Sequence, residues 1–299
     1  MAKPFIKWVG GKSQLISQIS QRLPQYVQDG KPYLYVEPFC GSAALALFLL
    51  DSEFAPKFAV LNDINTDLIN LYHVVKHHPH SLIDTLQVIQ SEYDCLQSKE
   101  EKQPYYYAKR EIFNERSSNP IEQAALFIFL NRAGFNGLYR VNSKNQFNVP
   151  IGSYKKPNFI FEEVILQASK VLQKVELFSQ SYEITLSHLD AINPHNLPVF
   201  FYIDPPYKPI SDTASFTAYS KDNFNDNDQQ QLKEFCDTLD NKGYQWLLSN
   251  SDPANIDNHN TFFDDLYSQY TIERVKANRN INSNGTKRGQ INELLIKNY

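Results

Sequence analysis

Four groups of residues have types and spacing suited to chemistry. The most specific is Asp204-Pro205-Pro206-Tyr207, directly after the apolar run Val199–Ile203. An acid, two prolines and an aromatic at the C-terminal end of a strand fall where open α/β sheets carry their active sites. The prolines are stiff and lack N–H donors, so their carbonyls can be presented as acceptors. A carboxylate beside a backbone carbonyl can accept both hydrogens of an exocyclic amine, and Tyr207 can stack on a flat heterocycle. The set suits a planar, amino-bearing ring whose nitrogen lone pair is aimed at an electrophile.

The second group, Glu37-Pro38-Phe39-Cys40-Gly41-Ser42-Ala43, ends one strand and opens a helix. Gly41 permits close backbone approach, and the helix N-terminus offers N–H groups to the anionic end of a ligand. Asp63 ends the next strand, 22 residues beyond Gly41, a position from which an acid binds ribose hydroxyls. There is no GxGxxG motif and no P-loop, which disfavours NAD binding and phosphate transfer. The third group, Lys7-Trp8-Val9-Gly10-Gly11-Lys12, precedes an amphipathic helix. It reads either as a cradle for a nucleoside-like ligand bearing a carboxylate or as a surface turn whose Trp8 packs in the core.

The fourth group is basic and glycine-rich: Arg132, Asn136, Leu138 and Arg140, continuing through Lys144, Tyr154, Lys155 and Lys156. Arg and Asn read guanine and adenine edges, while Lys holds phosphates. Phe127, Phe129 and Phe159 in the same stretch read as its own small core. His77, His78 and His80 have no carboxylate or cysteine partner nearby and read as a solvated helix end. Cys40, Cys95 and Cys236 form no CxxC pair, so they read as reduced thiols with no zinc site.

These groups need elements to hold them. Short apolar runs predict strands at 34–39 and 58–63, and strand-like runs predict others at 174–178, 198–203, 244–249, 271–276 and 292–297. Residues 42–50 are helical in character, residues 66–130 are mostly helical by pattern, and 131–160 suggests a loop with a hairpin. The order implies one α/β domain, residues 1–72 and 161–299, interrupted by an inserted and mainly helical module, residues 73–160.

The chain has 299 residues, 42% hydrophobic and 21% charged, a globular composition with material for a substantial core. Its longer apolar runs, such as Ala43–Leu50, stop at eight residues, short of a membrane span. The opening MAKPFIKWVGGK lacks the pattern of a signal peptide, so a cytoplasmic location is expected. A net charge of −4 argues against a polyanionic partner only if it is evenly spread. It is not: residues 123–161 and 274–292 contain no Asp or Glu and carry five cations each, leaving 19 basic against 33 acidic residues elsewhere. Two basic surfaces on an acidic body favour a polyanion docked in one place.

Taken in order, KWVGGK, EPFCGSA, Asp63, the basic insert and DPPY resemble the DNA N6-adenine methyltransferases of the Dam type, in the alpha arrangement of amino-methyltransferases. The similarity spans essentially the whole chain and includes Asn62–Asn65, Phe147–Pro150, Tyr154–Pro157, Phe216–Tyr219 and Ser283–Gly285. It implies a Rossmann-like methyltransferase fold with a mostly parallel seven-stranded sheet and an inserted DNA-recognition domain. It implies that Trp8, Lys12, Asp63 and Asp204 contact S-adenosylmethionine, that Phe39 and Gly41 line its methionine end, and that Tyr182 lies near its adenine. It implies GATC as the site, read through Leu138, Arg140 and Tyr154, with Asn136 near the backbone or an intercalation point. The glycine usual in an FxGxG motif is Ala43 here.

The expected reaction is methyl transfer to N6 of an adenine flipped out of double-stranded DNA, with Asp204, Pro205, Pro206 and Tyr207 as the catalytic set. Further DNA contacts are expected from Arg132, Lys144, Lys155, Asn284, Lys287 and Arg288, and from Tyr219 in a loop at 210–225 that closes over the base. The protein is expected to act as a monomer without metal or membrane. The alternatives are an RNA adenine methyltransferase with the same catalytic set, or a DNA-binding regulator that has lost catalysis. The retention of Asp204, Tyr207, Asp63 and Lys12 disfavours the latter.

Overall fold

The structure, a computed structural model, describes residues 1–193, 196–207, 224–278 and 290–299. After an N-terminal loop come two short helices, α1 (Ile16–Ser20) and α2 (Gln25–Gln28). Strand β1 (Leu34–Glu37), helix α3 (Ala44–Leu50) and strand β2 (Phe58–Asn62) follow, then five helices: α4 (Thr66–His77), α5 (Pro79–Cys95), α6 (Lys99–Glu115), α7 (Pro120–Ala133) and α8 (Glu162–Leu172). The rest runs β3 (Val175–Phe178), α9 (Ile184–Ile192), β4 (Val199–Ile203), α10 (Asp226–Asn241), β5 (Gln245–Ser251), α11 (Phe262–Leu266), β6 (Thr271–Asn278) and β7 (Gln290–Lys297).

All seven predicted strands are present. They form one sheet in the order β3-β2-β1-β4-β5-β7-β6. The first five neighbours pair in parallel, and β7 runs antiparallel between β5 and β6. This mostly parallel seven-stranded sheet is the Rossmann-like arrangement expected for a methyltransferase. The central strands β1 and β4 are buried at every residue, as parallel strands covered on both faces must be. Alternation sends Tyr35, Phe200, Tyr202 and Leu247 into one core, and Leu34, Val36, Phe201, Ile203 and Leu248 into the other. The first core is covered by α3–α8 and the second by α9–α11.

Side-chain caps explain several helix starts. Asn65 caps α4, a Ser98–Glu101 capping box opens α6, Asn119 caps α7 ahead of Pro120, and an Asn225–Asp228 box opens α10. Each satisfies N–H groups that the first turn leaves over. Helix α7 is buried almost all round. Its Phe127 and Phe129, with Phe159, lie in the same continuous core as Tyr35 and Leu47 from the sheet and α3, so the helical insert shares its apolar interior with the sheet. The expected hairpin is present as two isolated antiparallel bridges, Gly134 to Ile151 and Val141 to Phe147. His77, His78 and His80 are exposed around the α4–α5 junction. Cys40 and Cys236 are buried free thiols, and Cys95 is an exposed one.

Candidate active site

Strand order reverses between β1 and β4, because β1 leads outward to β2 while β4 leads to β5. A crevice opens at such a point beyond the strand ends, and the predicted motifs meet there. Lys12 is almost fully buried, and its Nζ lies 2.8 Å from Asp204 Oδ1. The same Nζ donates to the Gly10 carbonyl at 2.7 Å and sits 4.4 Å above the centre of the Tyr207 ring. Ser249, on β5, donates its hydroxyl to Asp204 Oδ1 at 2.9 Å, and the Tyr202 hydroxyl pairs with Ser249 Oγ at 3.0 Å. Both contacts fall on one carboxylate oxygen. The hydrogen bonds that Asp204 makes among the described residues go to Oδ1 and none to Oδ2. Burial raises the Asp204 pKa above its usual range, with Lys12 opposing the shift. Tyr207 in turn donates its hydroxyl to Glu293 Oε2 at 2.8 Å.

On the other side of β1, Gly41 has φ +45°, and a Cβ there would lie 2.8 Å from Trp8 Nε1; only glycine brings the backbone this close. The Gly41 N–H is donated to Asp63 Oδ2 at 3.0 Å, and Asp63 Oδ1 accepts the Asn65 N–H at 2.9 Å. Asp63 is thereby aimed by two backbone donors. Phe39 and Tyr182 have ring centroids 5.1 Å apart. The buried Asn62 side chain holds their loops together by donating to Pro38 O (2.9 Å) and Gln180 O (3.0 Å). An aromatic pair, an oriented carboxylate and a close glycine backbone fit the base, ribose and amino-acid portions of a nucleoside-linked cofactor.

Two features of this loop were not legible in its motif. Glu37 is buried, accepts the Tyr35 hydroxyl at 2.8 Å and takes the Ala46 backbone N–H. It thus serves as the cap that Ala43, with no polar side chain, does not supply to α3. Ala43 itself sits in the left-handed region (φ +50°, ψ +35°), which explains why glycine is at home there.

The insert meets the cofactor-type loop at α7. Trp8 stacks on Tyr139 and Phe127, at 5.5 and 6.5 Å, so its indole packs against the core as one reading of this loop expected, while its Nε1 edge faces Gly41. Asn131, not singled out in the sequence, accepts the Lys7 N–H at 2.9 Å and donates to Lys7 O (2.8 Å) and Gly137 O (2.9 Å). A cavity of about 300 Å³ lies beside this clip, lined by Ile6, Trp8, Gly11, Ser42 and Asn136. Of the turn that follows α7, Phe135 is 49% exposed and Asn136 is exposed with φ +55°. Leu138 and Arg140 are half-buried, and Arg140 Nε donates to Asn148 Oδ1 at 2.7 Å. Tyr154 is partly exposed and accepts from Lys7 Nζ at 3.3 Å. Lys144, Lys155 and Lys156 are exposed.

Two cations depart from expectation. Arg132 turns inward, donating to Phe5 O at 2.9 Å and lying 3.9 Å from the Phe161 ring centre. Arg274, counted in the second basic stretch, is paired with Asp252 and Asp264 at 3.0 and 2.7 Å; a stretch free of acids in sequence is not free of them in space. Tyr219, Asn284, Lys287 and Arg288, with the loop containing Phe216, lie outside the described residues.

Residues 8–281 match the family described as D12 class N6 adenine-specific DNA methyltransferase. The chain belongs to this family. Among curated proteins it is 42% identical to the type II methyltransferase M.MjaIII of Methanocaldococcus jannaschii, over 99% of each chain. It is 36% identical to the type II methyltransferase M1.LlaDCHI of Lactococcus lactis subsp. cremoris, over 99% of this chain and 95% of that one. It is 35% identical to the DNA adenine methylase of Escherichia coli K12, over 98% and 94%. This methyltransferase is therefore an adenine-specific DNA-modifying enzyme, and its family implies S-adenosylmethionine as methyl donor. Among its described residues no helix is long and apolar enough to cross a membrane, and no group of three or more His, Cys, Asp or Glu is arranged to hold a metal.

Proposed function

We propose that the methyltransferase acts on N6 of an adenine flipped out of double-stranded DNA, within GATC. The observation that carries this reading is the ion pair of buried Lys12 with half-buried Asp204 beside Tyr207, with one Asp204 oxygen held and the other left for a donor. An exocyclic amine inside a duplex is out of reach of a carboxylate held in this crevice unless the base leaves the stack. When bound, S-adenosylmethionine supplies an electrophilic sulfonium methyl. Asp204 Oδ2 and the Pro205 carbonyl accept the two N6 hydrogens, which turns the nitrogen lone pair out of the ring plane. Tyr207 stacks on the base, and Pro206 keeps the motif stiff. Asp63 takes the ribose hydroxyls, Phe39 and Tyr182 flank the cofactor, and Gly41, Trp8 and Lys12 close its amino-acid end. Rate enhancement then comes from positioning and fixed charge rather than a covalent enzyme intermediate.

DNA contact falls to the surface around the Phe135–Arg140 turn. Its support is the exposure of Phe135 and Asn136 beside Leu138, Arg140 and Tyr154, flanked by Lys144 and Lys155. An exposed apolar ring next to an amide suits a wedge between base steps. The test is labelled methyl transfer to duplexes containing GATC, ATTC, GTTC or pre-methylated GATC. Labelling confined to unmethylated GATC is expected; equal labelling of all four overturns the specificity. Arg140→Ala should narrow the gap between GATC and the near-cognate sites by about 1–3 kcal/mol, and Asp204→Ala should abolish labelling.

A further inference from the structure

Glu293 has no motif around it; residues 292–297 read simply as a strand. Its position comes from topology. Because β7 is inserted antiparallel beside β5, with Glu293 opposite Ser251, the beginning of β7 arrives at the C-terminal ends of the parallel strands. A half-buried acid there meets the active-site motif across 86 residues of sequence.

The contact is specific. Glu293 Oε2 accepts the Tyr207 hydroxyl at 2.8 Å, at the end of the ring farthest from the backbone. The Tyr207 side chain is thus held at three points. The proline pair stiffens its backbone, the Glu293 contact sets where its ring axis points, and Lys12 at 4.4 Å covers one face. A hydroxyl contact cannot set rotation about the ring axis, since the oxygen lies on that axis; the ammonium on one face can. Burial raises the Glu293 pKa while Lys12 opposes the rise, as expected for an acid kept in an enclosed site by its partners.

We infer that Glu293 is a positioning residue for methyl transfer: by accepting the Tyr207 hydroxyl it aims the ring on which the target adenine stacks. This rests on the reading of Asp204 and Tyr207 given above. Glu293 touches neither substrate in this scheme and acts through Tyr207 alone, so its removal matters only while the Tyr207 hydroxyl is present.

The experiment is single-turnover methyl transfer by the full chain, on the duplex most active in the panel above, for Glu293→Ala, Glu293→Gln, Tyr207→Phe and the Glu293→Ala/Tyr207→Phe pair. Glu293→Ala and Tyr207→Phe should each slow transfer about tenfold, and the pair about tenfold as well, because both changes delete one interaction. Glu293→Gln keeps an acceptor oxygen and should recover to within about threefold. S-adenosylhomocysteine affinity, measured by titration, should stay within about twofold throughout, which a loss of folding would not allow. A wild-type rate for Glu293→Ala, a loss near 100-fold in the pair as expected from about tenfold twice, or lost S-adenosylhomocysteine binding would each overturn the inference. Asp204→Ala separates the two levels. Full activity there sinks the active-site reading itself, whereas an inactive Asp204→Ala beside an unaffected Glu293→Ala sinks only the role of Glu293.

Discussion

Two residues of the Glu37–Ala43 loop carry costs that can be measured. Ala43 holds a left-handed conformation, which disfavours a side chain by about 1–2 kcal/mol. Ala43→Gly relieves that strain but loses a buried methyl, about 0.8 kcal/mol, and adds freedom to the unfolded chain, about 0.4–1 kcal/mol. The terms offset, so denaturant unfolding should show a change within about 1 kcal/mol. Ala46→Gly, equally buried but inside α3, has no strain to relieve and should cost about 2 kcal/mol. Equal losses at the two positions would contradict this account. Glu37 gives a pH signature. Burial lifts its pKa well above the ordinary 4.5, so the folded state binds the proton more tightly than the unfolded chain. Its contribution is fully present below 4.5, falls as pH rises toward the folded-state value, and levels off above it. Glu37→Gln should flatten that decline in a thermal-unfolding series across pH. The motif marked this loop as a ligand site, and its glycine and Asp63 lie together accordingly. Glu37's partner Ala46 and Ala43's backbone angle were not legible, because neither leaves a trace in residue type.

At the scale of elements, the central strands β1 and β4 were readable because each is a short apolar run buried on both faces. The edge strand β6, by contrast, buries only Val275 and Ala277 among its described side chains and showed through its strand-like alternation. Helix α6 was legible only as part of a broad helical region. It buries Tyr106 and Phe113 alone and carries Pro104 inside, so its apolar pattern is thin. What joins elements was less visible still. Asn131 near the end of α7 binds Lys7 through both its N–H and its carbonyl, and also Gly137, standing in for a peptide unit between the N-terminal loop and the Phe135–Arg140 turn. Asn131→Ala leaves these buried groups without partners and should cost about 2–4 kcal/mol in urea unfolding. It should also loosen the turn, so discrimination among the duplex panel should narrow. A change below about 0.5 kcal/mol would show that the clip is not a structural tie.

For the whole molecule, the relevant quantity is where charge is free rather than how much there is. Arg274 belongs to an acid-free stretch of sequence, yet it is neutralised by Asp252, fully buried, and by Asp264. Lys144 and Lys155 stand exposed on the surface proposed to meet DNA. Lys155→Ala should therefore weaken binding to all duplexes alike and reduce the slope of log affinity against log salt by about one. Arg274→Ala should leave that slope unchanged and instead lower stability by about 2 kcal/mol, a buried-partner loss reduced by the solvent exposure of the arginine. The reverse pattern would restore the second basic stretch as a DNA surface at this position.

The sequence alone determined the chemistry on offer and the strands that carry it, because DPPY, Gly41, Asp63 and the apolar runs are local patterns with local physical causes. Only the tertiary structure decided which groups face one another. The strand reversal at β1 and β4 set Lys12 against Asp204, and the antiparallel insertion of β7 delivered Glu293 to Tyr207. The same folding turned Arg132 inward and gave Arg274 its acids. Each is a contact between residues distant in sequence, fixed by sheet order and packing, and no local pattern carries that information.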